Sequence, residues 1–253
     1  MDTQSAQELI TFLNTATSWA YDRPMTPIQV HYKQQSSKPV TTGVSLCGIA
    51  EKIAQCTRCD LHKTRTQTVP GFGSEKPLVM VIGEGPGAEE DTRGLPFVGP
   101  AGQLLDKMLA AIQLSRDTNC FIGNIVKCRP PGNRDPLPQE SLACSAFLHV
   151  QIQLLKPKMI LAVGRVAAQN LLNTTDGIGK LHGQFFDYSV SHGNETGVSE
   201  TVPLMATYHP SALLRDASYK KPAWEDLKLF RQRLEELVPN FFASQNGEAA
   251  QSR

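Results

Sequence analysis

Net charge is what this chain has least of: 25 Lys and Arg stand against 24 Asp and Glu, a formal +1 at pH 7. So even a balance generates no global field for a polyanion, and any contact with nucleic acid has to rest on a local patch. Lys127, Arg129, Arg134, Arg165, Lys180, Arg215, Lys220 and Lys221 are the candidates for such a patch. Also missing is any apolar run approaching the roughly 18 residues of a membrane span. The start, Met1-Asp2-Thr3-Gln4, has neither the basic nor the apolar region of a secretory signal. The expectation is a cytosolic protein with no membrane partner. In a reducing compartment its six cysteines read as ligands or core residues, not disulfides. No Gly-Lys-Ser/Thr follows Gly83-Glu84-Gly85-Pro86-Gly87, and no complete G-x-G-x-x-G occurs, which excludes a Walker loop and a dinucleotide fingerprint. There is no internal repeat.

What is present is apolar residue enough, 40% of 253, for one sizeable α/β domain with a full core. Composition divides the chain into an arm over 1–45, a domain over 46–238 and a polar tail over 239–253. In the arm, Leu9, Ile10, Leu13, Ala16, Trp19 and Ala20 recur near helical period, and a Pro- and Gln-rich linker follows. In the domain, the near-continuous apolar run 78–83 predicts a strand buried on both faces. Further strands are predicted over 120–126, 157–163 and 202–208, with a short hairpin over 183–190. Helices are predicted over 46–55, 101–113, from about 136 to 155, 165–172 and 224–237. This alternation predicts a three-layer α/β/α sandwich around a central, mainly parallel four-stranded sheet. Ligands of such folds bind beyond the carboxyl ends of the strands. Gly83 to Gly87, Asn124 to Cys128, Gly164-Arg165 and His209 to Ser211 all follow strands, so they converge on one site.

Each constellation admits a functional and a plainer reading. Cys56-Thr57-Arg58-Cys59 gives a close pair of thiols, and Cys128 and Cys144 are distant singles. With no second C-x-x-C this is not the common zinc-ribbon pattern. A [4Fe-4S] cluster fits at least as well, and zinc or ordinary core cysteines remain open. Cys47 and Cys120 read as structural. Glu84, in a crevice loop, can orient or activate a water. Glu89, Glu90 and Asp91 read as helper carboxylates or as a solvated acidic turn. Phe97, in the turn-rich loop 94–99, can stack on a planar ligand or anchor its loop. Asn124 ends an apolar strand with an amide whose donor and acceptor edges can read a pyrimidine, unless it only satisfies backbone. His209 can donate to charge developing on a leaving group, Ser211 can hold a phosphate oxygen, and residues 212–215 can form an apolar wedge tipped by Arg215.

In order and together, the segments 83–87, 94–99, 124–131 and 209–211 and the four spaced cysteines resemble the family 4 uracil-DNA glycosylases, the iron–sulfur branch of that superfamily. The resemblance runs from Cys56 to Leu237. It implies a uracil-DNA glycosylase-like fold and a structural [4Fe-4S] cluster on Cys56, Cys59, Cys128 and Cys144. It also implies a DNA-repair enzyme acting on uracil in single- or double-stranded DNA, a nucleoid-associated monomer. Phe97 then stacks on the flipped base, Asn124 reads its edge, Gly85 lends close backbone contacts and His209 donates to the leaving uracil oxygen. Glu84 places the water. The superfamily's better-known branch carries Asp where this chain has Gly85, which leaves the water-activating residue open. Residues 129–140 hold no Arg-Arg-Ile-His insertion, the feature of a related branch that traps DNA covalently, so turnover is expected. The competing readings are a non-hydrolytic uracil-DNA binder and an iron–sulfur redox protein.

Overall fold

The computed structural model describes residues 45–190, 200–239 and 241. The expected N-terminal helix and linker lie outside the described residues, as does all but residues 239 and 241 of the polar tail. In chain order the helices are α1 (Leu46–Ala54), α2 (Ala88–Arg93), α3 (Pro100–Ala110), α4 (Pro138–Leu155), α5 (Arg165–Leu172), α6 (Ile178–Leu181), α7 (Pro210–Arg215) and α8 (Lys220–Leu237). The strands are β1 (Phe72–Gly73), β2 (Val79–Gly83), β3 (Cys120–Asn124), β4 (Met159–Val163), β5 (Phe185–Val190) and β6 (Glu200–Thr207).

Local chemistry sets the helix ends. Ser45 accepts a hydrogen bond from the Gly48 N–H at 3.1 Å and so caps α1. Proline opens α3, α4 and α7, where its missing N–H costs nothing. Gly94 closes α2 in the left-handed region.

The six strands form one sheet in the order β1-β3-β2-β4-β6-β5. The inner four are parallel, as expected, and an antiparallel strand lies at each edge. The expected hairpin within 183–190 is instead a single strand, β5, pairing with β6 from Phe185↔Met205 to Val190↔Glu200. The third strand stops at Asn124, two residues short of the apolar run.

Alternation sorts the sheet's side chains even where every residue is apolar. Val79, Val81, Leu161 and Met205 face one core with α3, α7 and α8. Met80, Ile82, Ile160 and Leu204 face the other with α1, α4, α5 and α6. The result is three layers. The winding of the sheet reverses between β2 and β4: β2 leads through α3 to β3 on one side, and β4 leads through α5, α6 and the edge strand β5 to β6 on the other. That reversal opens a crevice at the carboxyl ends of these strands.

Candidate functional site

A cleft of about 590 Å³ occupies this crevice. Glu84 follows β2, Asn124 ends β3, Arg165 follows β4 and His209 follows β6, so four consecutive parallel strands each deliver one polar side chain to it. Gly85, Phe97, Ser211 and Arg215 line it too. Every non-cysteine residue singled out from the sequence as catalytic or substrate-binding thus borders one space.

Its floor is Gly83. A Cβ there would fall 2.6 Å from both Asn124 Oδ1 and Phe97 Cζ. The amide and the ring therefore converge over bare backbone. Asn124 is 1% exposed, and its Oδ1 has no hydrogen-bond partner. A buried orphan acceptor costs free energy that a ligand's N–H can return. The plainer reading of Asn124, as a residue that satisfies backbone, does not hold for this oxygen. Gly85 is needed for packing, since a Cβ there would meet Val126 Cγ2 at 2.8 Å.

Phe97 is held in the left-handed region, φ 52°, by Arg116 and Gly102, which the sequence reading passed over, and by Glu90. Arg116 donates to the Pro96 and Phe97 carbonyls at 2.8 Å each, and its Nε donates to Asp106 Oδ1 at 2.8 Å. Gly102 of α3 admits the Phe97 carbonyl, for a Cβ there would lie 2.0 Å from it. Glu90 accepts from the Val98 and Gly99 N–H groups at 2.9 and 3.0 Å and from Gly87 N–H at 3.1 Å. It is neither a free carboxylate nor part of a solvated turn: it ties the glycine loop to the Phe97 loop. Asp91, also buried, accepts from the Thr66 N–H.

The His209 ring lies 5.6 Å from that of Phe97, tilted by 32°. Its Nδ1 accepts the Ser211 N–H at 3.1 Å, and Ser211 Oγ stands 2.8 Å away. An Nδ1 that accepts a backbone N–H carries no proton, so the proton of the neutral ring sits on Nε2. Burial, then the nearby Arg215, pushes the ring's pKa down to about 4. His209 is a neutral donor at physiological pH. Gly164, φ +95°, makes room for it: a Cβ there would fall 2.9 Å from His209 Cβ. Burial, with Asp135 adding to it and Arg165 opposing, pushes Glu84 up to about 7. Asp135 and Arg165 pair with each other at the cleft wall.

The structure corrects the expected basic patch. Lys127 is 1% exposed and Lys220 4%, so neither presents a charge at the surface through most of its side chain. Burial pushes Lys127 down to about 8. Arg134 instead makes a two-point pair with Glu140, both contacts at 2.8 Å, beside the cleft. In the proposed wedge, Leu213 is buried and Leu214 is 40% exposed, which leaves one leucine to project.

Cys56, Cys59, Cys128 and Cys144 line one small cavity with apolar walls that include Ile53, Leu61 and Phe147. Among the described residues no group of three or more His, Cys, Asp or Glu is arranged to hold a single ion. Zinc gathers its thiolates at about 2.3 Å from one point, whereas a cluster takes each thiolate on a separate iron and needs them further apart. Arg65 donates to Cys128 Sγ at 3.2 Å and to the Cys56 carbonyl at 2.8 Å, a cation suited to thiolate charge. Four thiols around one apolar space are a donor set that a cluster could take. Cys120 is buried, as a structural residue should be, but Cys47 is exposed.

Comparison with known proteins agrees with this geometry. The family model described as "Uracil DNA glycosylase superfamily" matches residues 70–228. The Type-4 uracil-DNA glycosylase of Archaeoglobus fulgidus is 38% identical over 202 residues, 78% of this chain and 98% of that protein. The Type-4 enzyme of Pyrobaculum aerophilum is 42% identical over 184 residues, 71% of this chain and 90% of its own. A Type-5 uracil-DNA glycosylase of Mycobacterium tuberculosis is 30% identical over 161 residues, 56% and 57% of the two chains.

Proposed function

The chain belongs to the uracil-DNA glycosylase superfamily, in its type-4 branch, and we infer that it removes uracil from DNA by hydrolysing the bond between base and deoxyribose. The product is an abasic site. The observation that carries this reading is the orphaned, buried Asn124 Oδ1, which meets the Phe97 ring over Gly83.

Uracil presents an N–H at N3 beside a carbonyl at C4. Asn124 Oδ1 accepts the first, and its amide N–H₂ donates to the second. Cytosine offers a lone pair at N3, which would face the Oδ1 lone pairs and leave both unpaired, a penalty of about 1–3 kcal/mol. The base must leave the stack first, at a cost of a few kcal/mol that is smallest for mispaired or single-stranded uracil. Leu214 fills the space it vacates, and Phe97 stacks on the extruded ring. As the glycosidic bond lengthens, its electron pair goes to uracil N1 and spreads onto the O2 oxygen. His209 Nε2–H donates to that oxygen, and a neutral ring aimed at developing charge needs no proton transfer. Glu84, as carboxylate, orients a water whose oxygen bonds to C1′, and the water's proton passes to the carboxylate or to solvent. Ser211 and Arg215, with Arg129, hold phosphates.

Cys56, Cys59, Cys128 and Cys144 would hold a [4Fe-4S] cluster, which would tie the segment after α1 to the loop after β3 and to α4. Hydrolysis needs no electrons, so the residues around it serve structure. The catalytic domain spans 46–238 and works as a monomer in the cytosol, with the DNA it repairs.

The test is uracil release from a uracil-containing oligonucleotide, single-stranded and U·G-paired, against a thymine control. Release that disappears in Asn124→Ala and His209→Ala supports the reading. Tight binding without release by iron-replete protein overturns it in favour of a binder. Neither binding nor release leaves a redox protein.

A further inference from the structure

Lys127 stands three residues after Asn124 and one before Cys128, and its side chain turns inward. An ammonium buried this deeply is costly unless its protons are taken up. Nζ donates to the Asn124 carbonyl at 2.9 Å and to Gln151 Oε1 of α4 at 2.7 Å. Gln151 Nε2 in turn donates to the Pro70 carbonyl at 2.7 Å, and the Lys127 carbonyl accepts the Val69 N–H at 2.8 Å. One ammonium thus joins the end of β3, the α4 helix and the segment at 69–70.

The link to Asn124 matters most. The sheet ladder ends there, and the next two N–H groups, of Ile125 and Val126, pair with the Gly83 and Glu84 carbonyls. The Asn124 carbonyl points the other way, to the ammonium. The peptide between 124 and 125 is thus held at both edges, its N–H by Gly83 and its carbonyl by the ammonium, and the second hold restrains the direction in which the Asn124 side chain leaves the strand. A group that must meet a base at hydrogen-bond distance tolerates little error, and a misplacement of about 1 Å can cost 100-fold in rate. A methionine would fill the same stem without burying a charge, so packing alone does not call for lysine.

We propose that Lys127 is a positioning residue for base recognition, its ammonium holding the Asn124 peptide so that the amide faces the extruded base. This rests on the reading of Asn124 as the base-reading residue. Lys127 also lines the cysteine cavity, so the same side chain borders that cavity and holds the end of β3.

The experiment is a double-mutant cycle on the full chain. Single-turnover uracil release and steady-state KM for a single-stranded uracil oligonucleotide are measured for wild type, Lys127→Met, Asn124→Ala and the double variant, with iron content of each. Lys127→Met should slow release about 10–100-fold and change the DNA KM less than about twofold, with iron retained. In the Asn124→Ala background the same change should add less than about threefold, because the partner it positions is gone. Multiplicative losses in the double variant, or wild-type release by Lys127→Met, overturn the proposal. Should Lys127→Met fail to fold, Gln151→Leu replaces it in the same cycle: it removes the acceptor for Nζ and should slow release, an effect lost beside Asn124→Ala. Wild-type release by Gln151→Leu, or a loss that persists in full beside Asn124→Ala, overturns the proposal. Absence of release by wild type would instead refute the glycosylase reading, so the two failures are told apart.

Discussion

Replacing Asn124 by leucine, a side chain of nearly the same shape, separates what this residue does for folding from what it does for uracil. In the free protein Oδ1 is buried without a partner. A buried acceptor in that state costs about 1–3 kcal/mol, and an apolar group of the same shape removes the penalty. Part of the gain is lost to imperfect fit against Gly83 and Phe97, so a net stabilisation of about 1–2 kcal/mol is expected. For a domain of this size that raises Tm by about 2–8 °C. Activity should move the other way. The variant can neither accept from uracil N3–H nor donate to its O4, and loss of about 3 kcal/mol at the transition state slows release roughly 100-fold. Calorimetry on the DNA-free protein and single-turnover release on a uracil oligonucleotide read the two effects. A lower Tm would mean that the amide stabilises the free fold, and release within about threefold of wild type would mean that the orphaned oxygen is not the base reader; either result refutes the reasoning.

Three further predictions follow from the same geometry. Glu84 serves as a base only when ionised, so single-turnover rate should rise with pH through about 7, and Glu84→Gln should flatten the profile; a flat wild-type profile from pH 6 to 8 contradicts the assignment. Linkage gives opposite signs for the two cleft groups: Glu84, raised when folded, withdraws stability as pH climbs from 4.5 to about 7, whereas His209, lowered when folded, withdraws it as pH falls from 6.5 towards 4. Urea melts of Glu84→Gln and His209→Gln across that range should each lose one of these slopes. Gly164→Ala forces a left-handed alanine against His209 and should lower stability by about 1–3 kcal/mol with a marked loss of release; thermal melts and release rates that match wild type would contradict the close approach.

The central strands were legible because burial on both faces leaves runs of Val, Ile, Leu and Met that allow little else. β1 was not, being two residues long with glycines at 71 and 73 and no period to detect. The overrun of β3 has a physical cause: Ile125 and Val126 are as apolar as strand residues, but they leave the ladder to pack beneath the loop after β2. Site residues at strand ends were readable because the topology sends them to one crevice. The tethering of the Phe97 loop by Glu90 and Arg116 was not, since the groups they hold there are backbone N–H and carbonyl groups that carry no mark in the sequence. Lys127 misled for the same reason in reverse. A lysine in a basic loop ordinarily faces solvent, and only the fold reveals the carbonyl and amide waiting for it.

The short β1 edge has a consequence for how molecules of this protein meet one another. Gly73 lies so close to β3 that a Cβ there would be 2.3 Å from the Cys120 carbonyl, and Gly71 and Gly73 both take φ values open mainly to glycine. The chain touches β3 for two residues and then departs, so an incoming strand finds almost no ladder to extend. At the opposite margin, β5 carries Asp187, a charge that a docking strand would have to accommodate. A parallel sheet of buried, β-prone strands is a hazard to a crowded solution whenever its sides lie open, and on the β1 side the chain itself leaves a neighbouring copy almost nothing to pair with.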